Sequence, residues 1–158
     1  MKFEFKDWGN NFQTPIDVCD YMSSYLPSKA GRILEPTPGK GNLVTSLSKY
    51  GEVICPENFF ELECSSFDYI VMNPPFSPMK LGYDILYKCM EMSENIIALM
   101  PYLTLINSDK RTTDLMRFGL KSITHLPRNT FKGSRVQTCI IELVKGYRGE
   151  TKFSVYKN

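Results

Sequence analysis

Four consecutive residues, Asn73-Pro74-Pro75-Phe76, carry the strongest chemical signal in the 158-residue chain. Two prolines fix the backbone and remove two N–H donors, so the turn presents carbonyl oxygens as acceptors. An Asn side-chain oxygen beside a prolyl carbonyl makes a paired acceptor for one planar –NH2 group. Phe76 adds a flat face suited to stacking on an extruded base. Without the chemistry, the same residues are a rigid turn that ends a strand. A second group lies upstream: Glu35-Pro36-Thr37-Pro38-Gly39-Lys40-Gly41-Asn42 joins a strand pattern to a helix pattern. That order recurs where nucleotides bind. The dinucleotide pattern G-x-G-x-x-G needs glycine where Val44 stands. A Walker A loop needs Ser or Thr after Gly-Lys, and Gly41 follows Lys40. Both phosphate readings therefore weaken, and a G-x-G turn alone is also an ordinary tight turn. Glu35 at the strand end shifts the balance, because a carboxylate repels pyrophosphate and suits a cationic, ribose-bearing ligand.

The elements that must position these residues follow from hydrophobic patterning. Pro15–Leu26 reads as a helix, with Thr14 as N-cap and Pro15 in the first turn. Residues 31–35 read as a buried strand, Leu43–Tyr50 as a helix, Glu52–Cys55 as a strand and Phe67–Met72 as the strand that stops at Asn73. Further on, Leu81–Met92 is helical in pattern, Asn95–Met100 is a strand and Asp109–Gly119 a helix; Ser122–Leu126 and Val136–Val144 are strands. Strands alternating with helices predict a largely parallel α/β sheet. The catalytic-type turn then sits at a strand's carboxyl end, where open α/β sheets place their chemistry.

Composition sets the outer limits. At this length, with 42% hydrophobic residues and a net charge of +2, one compact domain is expected and disorder is not. The longest apolar stretch, residues 96–100, is far short of the ~20 needed to span a bilayer. Residues 1–7 hold no apolar h-region, so no secretory signal is expected. Five cysteines form no C-x-x-C pair and His125 is the single histidine, which gives no zinc pattern and points to reduced cytosolic thiols. The charge is uneven. Residues 1–100 hold 8 Lys and Arg against 13 Asp and Glu, a balance of −5, and residues 101–158 hold 11 against 4, a balance of +7. A basic half suggests a polyanionic partner, or else a solvated basic face. Lys110 and Arg111 read as an exposed helix start, and His125 as a satisfied structural residue.

The motifs together resemble S-adenosylmethionine-dependent N6-adenine DNA methyltransferases of the small phage and prokaryotic type. Phe12-Gln13-Thr14-Pro15 resembles the N-terminal cofactor motif, and Ile33 to Leu43 the glycine-rich cofactor loop. Asp68 to Phe76 resembles the catalytic strand and loop. Residues 97–101 and the stretch Ile123–Leu143 resemble the later strands and the loop near the target base. The resemblance implies a Rossmann-like class I methyltransferase fold, with a mostly parallel sheet and helices on both faces. It implies a single catalytic domain over residues 1–158, S-adenosylmethionine as cofactor and no metal; the length departs from the family in leaving no stretch for a separate target-recognition domain. Asn73, Pro74, Pro75 and Phe76 would be catalytic. Phe12, Gln13, Thr14, Pro15, Glu35, Pro36, Thr37, Gly39, Gly41 and Asn42 would hold the cofactor. Arg128, Phe131, Lys132 and Arg135 would hold DNA around a single-stranded or flipped-out adenine.

One departure from the pattern concerns spacing. From Gly41 to Asn73 there are 32 positions, short for the two strand–helix units of the family. Glu57 therefore stands either as the acid that grips ribose hydroxyls or, with Asn58, Phe59 and Phe60, as the later adenine-contacting motif; a solvated loop acid is the third reading. The implied setting is the cytoplasm of a prokaryotic or phage-infected cell, with a homo-oligomer or a specificity partner supplying sequence selection. RNA adenine or protein glutamine as substrate, and a non-catalytic cofactor- or nucleic-acid-binding subunit, stand as alternatives.

Overall fold

The computed structural model describes residues 14–63, 65–131 and 136–157. Among the described residues seven strands form one sheet: β1 (Gly31–Leu34), β2 (Gly51–Ile54), β3 (Tyr69–Met72), β4 (Asn95–Pro101), β5 (Leu120–Leu126), β6 (Thr138–Val144) and β7 (Lys152–Val155). Their order is β2-β1-β3-β4-β6-β5-β7. Strand β6 runs antiparallel to both of its neighbours, and every other pairing is parallel. The helices are α1 (Ile16–Ser23), α2 (Asn42–Leu47), α3 (Met79–Met90), α4 (Leu103–Ile106) and α5 (Asp109–Phe118).

Period-2 alternation in the strands builds two cores, one on each face of the sheet. Ile70, Met72, Ile96, Ala98, Met100, Cys139 and Ile141 face α3 and α5. Val71, Ile97, Leu99 and Ile140 face α1 and α2, meeting Val18, Met22, Leu43 and Leu47. A strand buried on both faces must be apolar throughout, which is why Asn95–Pro101 reads as a continuous run. Among the described residues no helix is long and apolar enough to cross a membrane.

The central stretch is shortened as expected, and three other features depart from expectation. The short interval before Asn73 holds one edge strand, β2, followed among the described residues by the 3₁₀ turn Phe59–Glu61 in place of a strand–helix unit. The one-turn helix α4 and the edge strand β7 were not expected; each spans four residues, too few for periodicity to register. Arg111 is the third. It is 9% exposed, not on an open helix start: its Nε and Nη2 donate to the carbonyls of Thr104 (2.7 Å) and Leu103 (2.9 Å). Its guanidinium lies 3.7 Å from the Tyr83 ring centre, which adds a cation–π contact. Ser108 caps α5 through its hydroxyl, 3.2 Å from the Arg111 N–H, and so fixes the side chain's point of departure.

Replacing Arg111 by Met removes the side-chain donor from two α4 carbonyls, leaving that of Leu103 only the Asn107 N–H (3.1 Å). The expected loss is about 2–4 kcal/mol of stability. Urea unfolding should show a lower midpoint with an unchanged slope, and Arg111→Lys, which lacks the fork, should recover only part of the loss. A wild-type midpoint in Arg111→Met would show that the clamp contributes nothing.

Candidate active site

Strand order reverses beside β1: β2 lies on one side of it and β3 on the other. Such a switch point leaves a crevice beyond the carboxyl ends of the two diverging strands. Here those ends lead into Glu35 on β1 and Asn73 on β3, so the two groups singled out by sequence become neighbours across the crevice.

The β1 side is built around a buried acid. Glu35 is 1% exposed, and its Oε1 accepts from the Thr37 N–H at 2.7 Å. The Thr37 hydroxyl lies 3.3 Å from both Glu35 Oε1 and the Asn73 carbonyl oxygen, and so bridges the two strand ends. Beyond it the loop closes through the Gly41 N–H on the Pro38 carbonyl (2.8 Å). Gly41 caps α2 with φ of 90°, a left-handed conformation that a side chain would strain. A Cβ built there meets nothing within 4 Å, so the loop's open side at Gly41 is free space. Gly39 is exposed, and Pro36 is buried.

On the β3 side, Asn73 donates from Nδ2 to the Thr14 hydroxyl at 2.6 Å. That bond turns the amide so that Oδ1 lies on the other side, available as an acceptor. Thr14 was expected to cap α1. Pro15 occupies that position instead, without a side-chain cap, and Asn73 takes the hydroxyl. Asn42 Nδ2 holds the Thr14 carbonyl at 3.2 Å, tying the segment to the glycine loop. Helix α3 supports the turn from below through Gly82: a Cβ there would come within 2.9 Å of the Pro75 carbonyl. Phe76 is half-buried against the α1-side core, as is Phe131.

Sequence reasoning missed Gly82. Its signal was a lone glycine inside a helical pattern, a costly choice unless another backbone approaches closely.

Past β2, Glu57 is exposed and Asn58 spends its side-chain oxygen on the Phe60 N–H (3.1 Å). Phe59 is fully buried, with Lys88 Nζ 4.7 Å above its ring, and Phe60 is 43% exposed. The aromatic face open to a ligand here belongs to Phe60. Lys88 fixes this segment by donating to the carbonyls of Phe59 (2.6 Å) and Leu62 (3.0 Å).

Arg128 is exposed beyond the carboxyl end of β5, on the same sheet edge as Asn73. Phe12, Gln13, Lys132 and Arg135 lie outside the described residues. The basic half of the chain does not form one face. Lys121 is the second residue of β5, Lys152 the first of β7, and Lys145 follows β6, which places all three at the opposite sheet edge. His125 has its expected structural role, with Nδ1 2.7 Å from the Tyr102 hydroxyl.

No protein-family model and no curated protein matches the sequence. Solved structures do. The type I restriction-modification system methyltransferase subunit from Streptococcus thermophilus superposes with a TM-score of 0.71 at 15% identity, over 93% of this chain and 48% of that one. The chain has the class I methyltransferase fold. The type I restriction enzyme EcoKI M protein matches with a TM-score of 0.66 at 14% identity, over 86% of this chain and 44% of its own. The 23S rRNA methyltransferase ErmE matches at 0.61 and 17% identity, over 89% of this chain and 71% of its own. The chain thus spans about half the length of the restriction-modification subunits it resembles.

Within this methyltransferase fold, burial pushes the Glu35 carboxyl up from 4.5 to about 8, against the lowering pull of its two Thr37 hydrogen bonds. A raised acid makes the folded chain hold a proton that the unfolded chain has released. Stability is therefore expected to fall as pH rises from 4.5 through about 8. Chemical unfolding across that window should show the slope in the wild type and its reduction in Glu35→Gln. Equal slopes in the two proteins would contradict the assignment.

Proposed function

We propose that the protein is an S-adenosylmethionine-dependent methyltransferase acting on the N6 amino group of adenine in DNA. The observation that carries this reading is the Asn73 amide, fixed by Thr14 at the switch-point edge beside an open glycine loop. The cofactor fits that loop: Gly41 leaves space where a side chain would stand, and Glu35 lies beneath as a potential negative charge for a cationic ligand. When bound, S-adenosylmethionine supplies an electrophilic methyl group. Thr14, Pro15, Thr37, Gly39, Gly41 and Asn42 would line its site, and Phe60, exposed where Phe59 is not, would offer the ring at its far end.

An exocyclic amine on an aromatic ring is a poor nucleophile, because its lone pair is delocalised into the ring. Asn73 Oδ1 and the Pro74 carbonyl would each accept one of its two N–H groups. Two acceptors so placed favour a pyramidal nitrogen and free its lone pair. The work is then positioning and electrostatic preorganisation. Phe76 would stack on the target base, and Arg128 would hold its phosphate.

Two features of the similar proteins bear on the substrate. Their names include restriction-modification methyltransferase subunits, which supports DNA and a partner or second copy that supplies sequence selection. ErmE, a 23S rRNA methyltransferase, shares most of its length with this chain, so adenine in RNA is the second reading.

Purified protein should transfer labelled methyl from the cofactor to adenine N6, identified by nucleoside digestion and mass spectrometry. Asn73→Ala should lower the rate by about 10²–10³-fold while calorimetry shows cofactor binding retained. Wild-type turnover in that variant would remove Asn73 from the chemistry. Competition between DNA and RNA substrates decides between the two readings.

A further inference from the structure

Helix α4 is a single turn held more firmly than its length requires. Arg111 holds the carbonyls of Leu103 and Thr104, and the Thr112 hydroxyl holds that of Leu105. Tyr102, just before the helix, donates its N–H to the Gln137 carbonyl (3.1 Å) and pairs its hydroxyl with His125. Yet the face the turn presents outward is apolar. Leu103 is 41% and Ile106 73% exposed, and an i, i+3 spacing puts them on one side of the helix. Scattered exposed aliphatics need no explanation, but a pair on a rigidly clamped turn beside a catalytic loop does.

Its place in the fold says what it meets. Met72 at the end of β3 pairs with Ala98, so β4 runs three residues further, Leu99 to Pro101. At ~3.3 Å per residue, α4 stands about 10 Å above the level at which Asn73 leaves the sheet. Gln137 links this turn to the neighbouring cation: its Oε1 accepts from Arg128 Nε (3.2 Å), and its Nε2 donates to the Leu126 carbonyl (3.1 Å). One hydrogen-bonded unit thus carries an exposed guanidinium and an apolar knob, both on the edge that holds Asn73.

From the proposed adenine chemistry, we infer that Leu103 and Ile106 form a wedge that enters the base stack of duplex DNA at the displaced adenine. Arg128 binds an adjoining phosphate. An extruded base leaves a gap between two apolar base faces, which an aliphatic side chain fills without losing hydrogen bonds. A wedge works only if its backbone does not yield, and the clamps from Arg111, Thr112 and Tyr102 supply that stiffness.

The test compares wild type with Leu103→Ser and Ile106→Ser on three substrates sharing one adenine that the wild type methylates. These are a single strand, a duplex, and a duplex with an abasic site opposite the adenine. The ratio of duplex to single-strand kcat/KM should fall about tenfold in the variants and recover on the abasic duplex. With 2-aminopurine at the target and S-adenosylhomocysteine present, the wild type should raise duplex fluorescence and the variants should not. An unchanged ratio, or equal loss on all three substrates, overturns the wedge. A wild type active on single strands alone overturns it and leaves the functional reading standing; a wild type that methylates no adenine overturns both.

Discussion

Everything at the crevice depends on one seam of hydrogen bonds between the ends of two diverging strands. The Thr37 hydroxyl stands between the Glu35 carboxyl and the Asn73 carbonyl, and Asn73 in turn donates to Thr14, whose own carbonyl is held by Asn42. Groups from β1, the glycine loop, the segment before α1 and the turn after β3 are thereby locked into one unit. A loose Asn amide can turn either nitrogen or oxygen toward a ligand. Bound to Thr14, it offers the oxygen. The residues that would hold a cofactor therefore also orient the group that would meet the target base, and neither half of the site is set independently.

The rest of the fold serves that seam. Reversal of strand order beside β1 opens the crevice, and apolar burial on both faces fixes strand register so that Glu35 and Asn73 emerge at the same edge. Gly82 lets α3 lie directly under the turn, and the two prolines keep the turn from relaxing. A glycine in mid-helix costs stability, so its position marks where close approach matters more than helix propensity. On the β2 side the fold is cut short. A 3₁₀ turn held by Lys88 stands in for a strand–helix unit, and Phe60 provides the open aromatic surface there.

Much of this was legible in the sequence because it rests on local rules. Short continuous apolar runs specified β3, β4 and β6, and strand–turn–helix order placed the glycine loop and the Asn-Pro-Pro-Phe turn at strand ends. What stayed hidden was tertiary recruitment. Thr14 has the local signature of an N-cap, and no local pattern reveals that Asn73, 59 positions away, takes its hydroxyl. Arg111 looks like a solvated cation until α4 folds back over it. Phe59 and Phe60 are equivalent as letters, and core packing decides which ring is buried. The charge imbalance was real as a count but gave no single surface, because β5 and β7 begin at the edge where β6 ends.

The link between Thr14 and Asn73 is the point on which the account turns. Thr14→Val keeps the shape and removes the hydroxyl, whereas Thr14→Ser keeps the hydroxyl and removes a methyl. Methyl-transfer kinetics and cofactor calorimetry on both variants should show kcat lowered about 10–100-fold in Val and near wild type in Ser, with any loss of cofactor affinity in Val far smaller than its loss of kcat. Wild-type kcat in Thr14→Val, or equal losses in the two variants, would contradict it.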